Sequence, residues 1–376
     1  MRGRSAKQTV VGVHRALAAF LISTALFAIP SAAQKPASSE IQVQKCWEHK
    51  LDGTVDRRLA ADGSSIFTVR GGSVVEAVTG STGALLWSSD VGGNIDSDLA
   101  AADGSVFLVR HAVAEDKNAR GSLVALSAAT GITKWTAALP DAGTDVTLAV
   151  TGGVVLVVSN AGSIVSADAR DGKIIWSKQS PSDISGSPFL AGTSLYFASQ
   201  GRNVGQMSLD GVLSTAISSA PFALTALARS DDGTIVAGDE RGQVTTYSGP
   251  AGKVIWKFTS GAAVSSLLLK DSSVIAASND NFIYALTLSG GGRIWKKRVA
   301  GRVQAMRLVG DGLILVETAG EKEVQLLDAG TGKTAAQISF PPDEIPVAAL
   351  ALSDSVVTVL SSGSLYLYAT GGCPAK

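Results

Sequence analysis

The chain has 376 residues, 45% of them hydrophobic and 17% charged, with 32 Lys+Arg against 32 Asp+Glu. It is long enough to bury a large core. No Lys/Arg-rich run offers the phosphate-neutralising cluster that a nucleic-acid surface needs, so nucleic acid is not an expected partner. Gly is abundant, and β-branched residues with Ser and Thr fill the runs between glycines, a composition of strands and turns rather than helices.

Residues 1–33 read as an address. Arg2, Arg4, Lys7 and Arg15 make a basic start, Ala16 to Ile29 is apolar, and Ser31-Ala32-Ala33 forms a small-x-small cleavage site before Gln34. The apolar run is short for a membrane span of about 20 residues, so a secretory signal peptide is expected rather than an uncleaved anchor. No Cys stands at the cleavage site to carry a lipid, and no later segment is long and apolar enough to cross a membrane. Removing the four basic residues leaves 28 Lys+Arg against 32 Asp+Glu, a formal charge of −4. Residues 34–44 are expected as a flexible linker, 45–373 as the folded domain and 374–376 as a tail. An exported monomer, periplasmic or secreted, is the expectation.

The six tryptophans set the period. Trp47, Trp87, Trp135, Trp176, Trp256 and Trp295 are spaced 40, 48, 41, 80 and 39 residues apart. Gly83, Gly131, Gly172, Gly252 and Gly291 each stand four residues before a tryptophan, and an alternating apolar run precedes each glycine. Two more units keep the frame without the indole, with Gly211 leading to Thr215 and Gly332 to Ala336. Period-2 alternation marks strands, and the glycine supplies the positive φ of a short hairpin. Four strands per 40-odd residues is a propeller blade. Counting Trp positions gives eight blades in an all-β propeller.

The last unit has its third strand at Gly363–Tyr368 and a turn at Thr370-Gly371, but no fourth strand after it. The Trp-bearing segment around Trp47 has no blade before it. The N-terminal strand is therefore expected to complete the last blade, removing the exposed edges of an open ring. Cys46 sits beside Trp47 and Cys373 just past the final turn, so closure would bring the two cysteines together as a disulfide.

Three segments carry a family resemblance: Ser187–Ser199, Ala167–Trp176 and Ser278–Trp295. They resemble the PQQ-like repeat, whose pattern runs Ser-Pro, strand, Gly, strand, Asp-Gly, Tyr-Ala-Leu-Asp, Thr-Gly, Trp. The resemblance covers nearly all of 45–373. Its family includes quinoprotein dehydrogenases and the scaffold of the outer-membrane barrel-assembly machine. The dehydrogenases carry PQQ and calcium with a vicinal Cys-Cys pair, which this chain lacks. The resemblance implies a BamB-like, non-catalytic member that binds another protein, with no cofactor. The alternative is a PQQ-dependent or other enzyme with its site in the channel.

The residues point to little chemistry of their own. No G-x-S-x-G elbow, P-loop or G-x-G-x-x-G is present. His49 and His111 are the only histidines beyond the signal, too few for a histidine metal cluster. Acidic pairs such as Asp231-Asp232 fall beside turn glycines, where Asp is favoured anyway. The tryptophans share one repeat position, expected to pack blade against blade. The 48-residue spacing marks an insertion, Arg110 to Arg120. Arg110, His111, Glu115, Asp116, Lys117, Asn118 and Arg120 are candidate contact residues there, against the plainer reading of a tolerated surface loop.

Overall fold

The computed structural model describes residues 41–111, 121–140, 145–199, 202–217, 219–249, 252–353 and 356–375. The expected signal segment lies outside them. Every regular element among the described residues is a β-strand. The strands form eight antiparallel sheets whose innermost strands touch one another in an unbroken circle, an eight-bladed β-propeller.

Blade 1 runs outward through Val55–Asp62, Ser65–Arg70, Val74–Thr79 and Leu85–Asp90. Blades 2 to 7 occupy residues 94–138, 146–179, 184–217, 224–259, 264–298 and 303–339. Blade 8 takes Pro346–Ser353, Val356–Ser361 and Ser364–Ala369 from the C-terminal end and Gln44–Lys50 from the N-terminal end, with Trp47 opposite Leu367. The middle strands are apolar on both faces because each is covered by a blade on either side. Val154–Ser159 (VVLVVS) and Ser65–Arg70 (SIFTVR) are examples. The core is accordingly divided among the junctions. One cluster joins Phe67, Val75 and Trp87 of blade 1 to Val106, Leu108 and Leu126 of blade 2.

The tryptophans bind the junctions, and each works on the blade after its own. The indole N–H groups of Trp47, Trp87, Trp135, Trp176, Trp256 and Trp295 donate to the carbonyls of Gly80, Ala128, Ala169, Leu209, Leu288 and Ala329, at 2.6–3.2 Å. Each acceptor lies just past the third strand of the next blade. The same rings lie on Gly83, Gly131, Gly172, Gly211, Gly291 and Gly332, whose φ values fall between +68° and +84°. A methyl group on any of these would stand 3.0 Å or less from the indole. The repeating glycine thus turns its own hairpin and also seats the tryptophan of the preceding blade.

A bulge precedes the tryptophan. In seven blades the ladder between third and fourth strands skips one residue just before the Trp position: Leu86, Lys134, Ile175, Ile255, Ile294, Ala335 and Cys46. A bulge re-aims a side chain. In blade 8 the skipped residue is Cys46, and it is bonded to Cys373 with a Cα–Cα distance of 5.4 Å. The disulfide therefore stands where the other blades have the turn of their outer hairpin. At the opposite end of the same strand, Glu344 accepts hydrogen bonds from Tyr366 Oη at 3.0 Å and from the Ser361 hydroxyl, tying the last connection to blade 8.

Blades 4 and 7 have no tryptophan. At the junction of blades 7 and 8, Phe340, Tyr366 and Tyr368 cluster instead, with ring centroids 5.5–6.2 Å apart. Ile41 and Val43, from the stretch before the first strand, pack into the same cluster. Ile41 N donates to Ala335 O at 2.9 Å, so this stretch lies along the outer edge of blade 7.

The disulfide spans 327 residues. Chain-entropy arithmetic for so long a loop gives roughly 5–6 kcal/mol as an upper figure. Replacing both cysteines with serine is expected to lower the denaturation midpoint by a substantial part of that amount. An unchanged midpoint in chemical denaturation would show that the seam does not limit stability.

Candidate functional site

The innermost strands begin on the face that carries the blade-to-blade connections and the loops between second and third strands. Two irregularities on this face push charge into the channel mouth. In blade 1 the register shifts between Val55 and Leu59, taking Asp56, Arg57 and Arg58 out of the ladder. In blade 2 the inner strand is split into Asn94–Ile95 and Ala100–Ala102, both paired to Ser105–His111. Across the split, Ser97 Oγ accepts from Val109 N at 2.8 Å, and Asp98 N donates to Val146 O of blade 3 at 3.3 Å. Side-chain and neighbouring-blade bonds thus replace the lost ladder bonds.

The result is a cavity of about 510 Å³ lined by Asp56, Arg57, Arg58, Asp96, Asp98 and Asp145, with Asn160 and Ile184 at its far wall. Arg58 pairs with Asp56 and donates through Nε to Ser97 O at 2.6 Å. Arg57 reaches past blade 8 to blade 7, where it hydrogen-bonds Gln304 and stands 3.5 Å from Glu317. Arg307 pairs with the same Glu317 carboxylate. Two guanidiniums therefore share one buried carboxylate across the channel. Asp98 is left without such a partner. Although Asp98 is exposed at the channel mouth, the surrounding walls withhold enough bulk water to push its carboxyl upward, against the pull of Arg58, Arg307 and Arg57.

The insertion starts at the rim of this cavity. His111 Nδ1 contacts the Asp96 carboxylate, and the Arg110 guanidinium donates to Val91 O and Gly92 O. Glu115, Asp116, Lys117, Asn118 and Arg120 lie outside the described residues. His49 is far from His111 in the ring, 3.9 Å from Glu76. Among the described residues no three His, Cys, Asp or Glu side chains are grouped to hold a metal ion. A quinone cofactor does not fit the residues present either. All six indoles are laid on glycines at the junctions, and the two cysteines are joined at the seam. The charged channel mouth escaped sequence reading, because Asp56, Arg57, Arg58 and Asp98 look like ordinary turn and surface charges. The break in alternation after Ile95 was the available signal.

At the opposite end of the inner strands of blades 4 to 6, Phe189, Leu190, Leu227, Leu267 and Leu268 line a second hollow of about 510 Å³, with Arg229 and Asp231 beside them. Polar and apolar surface are nearly balanced in its lining. Among the described residues no helix is long and apolar enough to cross a membrane.

Fold and junctions together define the class, an eight-bladed propeller of PQQ-like repeats whose tryptophans dock from blade to blade. The sequence model of the family described as outer membrane protein assembly factor BamB matches residues 41–207 and 198–372, and the chain belongs to that family. Among solved structures, BamB from Moraxella catarrhalis is similar with a TM-score of 0.69 and 16% identity, over 87% of this chain and 100% of that one. The computationally designed Ika8 protein gives 0.71 and 16%, over 87% and 99%. The C-terminal WD40 domain of Sif2 gives 0.68 and 12%, over 89% and 99%. At these identities the likeness is one of fold. No curated protein matches the chain.

The raised Asp98 carboxyl has a consequence for stability. A group whose folded pKa is raised favours the folded state while protonated and loses that contribution as pH rises through its folded pKa. Asp98→Asn is therefore expected to raise the melting temperature at pH 7, with the gain fading below about pH 4, where the parent carboxyl is protonated in both states. A gain that persists unchanged at low pH, or a loss at pH 7, would contradict the assigned environment of Asp98.

Proposed function

We propose that the protein is an exported, non-catalytic scaffold that binds another protein during outer-membrane protein assembly. The observation that carries this reading is the family match across residues 41–372. The disulfide agrees with an oxidising compartment outside the cytoplasm. A signal peptide over residues 1–33 supplies the route, and the mature protein works as a monomeric ring.

Two surfaces suit such a partner. The mixed hollow of blades 4 to 6 offers Phe and Leu side chains beside Arg229 and Asp231, a pairing of apolar contact area with polar border groups that interfaces use. The charged channel mouth lies on the other face, with Arg110 and His111, the described start of the insertion, at its rim. Interleaved Asp and Arg there favour orientation and fast encounter over raw affinity. Arg110, His111, Glu115, Asp116, Lys117, Asn118 and Arg120 are proposed as contact residues.

Affinity capture from an envelope fraction tests the reading. The parent protein should recover one partner reproducibly. Leu227→Glu should reduce recovery at least tenfold with the fold intact, and deletion of residues 112–118 should weaken capture and its salt dependence together. Recovery of no partner, or turnover of an alcohol or sugar after addition of PQQ and calcium, would overturn it.

A further inference from the structure

The junction of blades 4 and 5 departs from the pattern of the other junctions. Its outer strand, Leu213–Ile217, carries no tryptophan, and its bulge falls at Ala216, two residues later than in the other blades. Thr215, the tryptophan position by sequence spacing, is consequently exposed, while Ala216 and Ile217 turn inward. A hollow of about 160 Å³ remains beside the indole position, lined by Tyr196, Gln206, Ala216, Ile235 and Gly249, with Asp232 and the Arg229 guanidinium, 5.4 Å from the Tyr196 ring centroid, on one side of it. Gly249 follows the third strand of blade 5, as Ala128 and Ala329 follow theirs. Its carbonyl therefore occupies the position that accepts an indole N–H at six other junctions. Among the described residues it receives a turn bond from Gly252 N at 3.2 Å, which leaves one lone pair. Gly252 is bare of any ring, its nearest neighbours being the Ala216 backbone and Ile217.

The outer edge beside this hollow is also unusual. Outer strands are unpaired edges, and charged side chains on them discourage other strands from adding. Lys134, Lys178, Lys253, Arg293 and Asp90 mark five of these edges, and Lys45 marks the seam. Only Leu213–Ile217 and Thr334–Ser339 are uncharged, and they are the two strands without tryptophan. Thr334–Ser339 is already covered, by an extended stretch of this same chain, with Ile41 N bonded to Ala335 O and Ile41 and Val43 packed inward. Leu213–Ile217 has no such cover among the described residues, and Val212 and Leu213 are 60% and 37% exposed.

We infer that the outer edge of blade 4 is a docking site for an extended segment of a partner protein that adds as a strand along Leu213–Ile217 and places a tryptophan side chain in the hollow beneath Ala216. The hollow has room for an aromatic ring, and the Arg229 guanidinium on its wall can stack on the face of one. The Gly249 carbonyl offers the acceptor that the indole N–H requires when buried, and main-chain bonds along the edge supply affinity as in other strand additions. The segment 41–43 at blade 7 is the internal precedent for such an occupant. This inference rests on the reading of the chain as a protein-binding scaffold and names the kind of segment it takes.

A fluorescein-labelled peptide Thr-Val-Trp-Val-Thr, and its counterpart with Ala in place of Trp, provide the test by fluorescence anisotropy on the full chain. The parent should bind the Trp peptide at least tenfold more tightly than the Ala peptide. Ala216→Trp, which fills the hollow from within, should abolish that preference. Leu213→Lys, an exposed change that leaves the core untouched, should weaken the Trp peptide at least tenfold and keeps the test decisive if Ala216→Trp does not fold. Equal binding of the two peptides by the parent, or full binding by Leu213→Lys, would overturn the inference. So would a dimer in sedimentation that Leu213→Lys dissolves, since the occupant would then be a second copy. A parent that captures an envelope partner yet ignores the peptide would sink this site while leaving the scaffold reading intact.

Discussion

An indole ring lying on a glycine, with its N–H on the carbonyl just past the neighbouring third strand, fixes how one blade meets the next. The contact needs three things at once: a large flat side chain, a residue with no Cβ beneath it, and a free acceptor beside both. Truncating a buried aromatic of this kind costs about 3–5 kcal/mol, and six such contacts recur around the ring. Because each tryptophan acts on the following blade, the contacts form a chain of nearest-neighbour locks rather than a set of independent blades. The bulge before each tryptophan belongs to the same device, since it turns the indole out of its own sheet and onto the next.

The ends of the chain are absorbed into that device. Trp47 lies on Gly83, so the N-terminal strand locks blade 8 to blade 1 as any internal strand would. What blade 8 lacks is a covalent turn between its third and fourth strands, and the Cys46–Cys373 bond takes that place. The two junctions without tryptophan have separate remedies. One is filled by Phe340, two tyrosines and the stretch before the first strand; the other keeps a hollow and an uncharged edge. The ring departs from its repeat in three further places: a missing indole at blade 4, a split inner strand at blade 2 and a wide register shift at blade 1.

Much of the ring could be read from residue spacing. Tryptophans about 40 residues apart, hairpin glycines and alternating strands mark eight blades, and the two lone cysteines mark the seam. Local patterns are enough for these features because each repeat is built from its own stretch of chain. Other features are set by contacts between repeats and leave little local trace. Gly131 reads as a turn glycine for its own hairpin, yet its sharper constraint comes from Trp87 in the blade before. Thr215 keeps the tryptophan spacing, but a bulge displaced by two residues gives the inward position to Ala216. Arg57 is an unremarkable strand-start arginine until ring closure brings it to Glu317, some 260 positions later in the chain. The Arg110–Arg120 insertion was visible as an excess of spacing, and the pairing of its stem residue His111 with Asp96 was not.

The blade-to-blade lock can be isolated by comparing two glycines of equal backbone strain. Gly131 and Gly104 have φ values of +70° and +69°, but a side chain at Gly131 would meet Trp87, whereas nothing lies within 4 Å at Gly104. The decisive measurement is the unfolding free energy of Gly131→Ala and Gly104→Ala, each made in the parent and in Trp87→Ala. The account predicts that Gly131→Ala is clearly the more damaging in the parent and that the two cost the same, about 1 kcal/mol of backbone strain, once the indole is gone. Equal costs in the parent, or an excess at Gly131 that survives removal of Trp87, would contradict it.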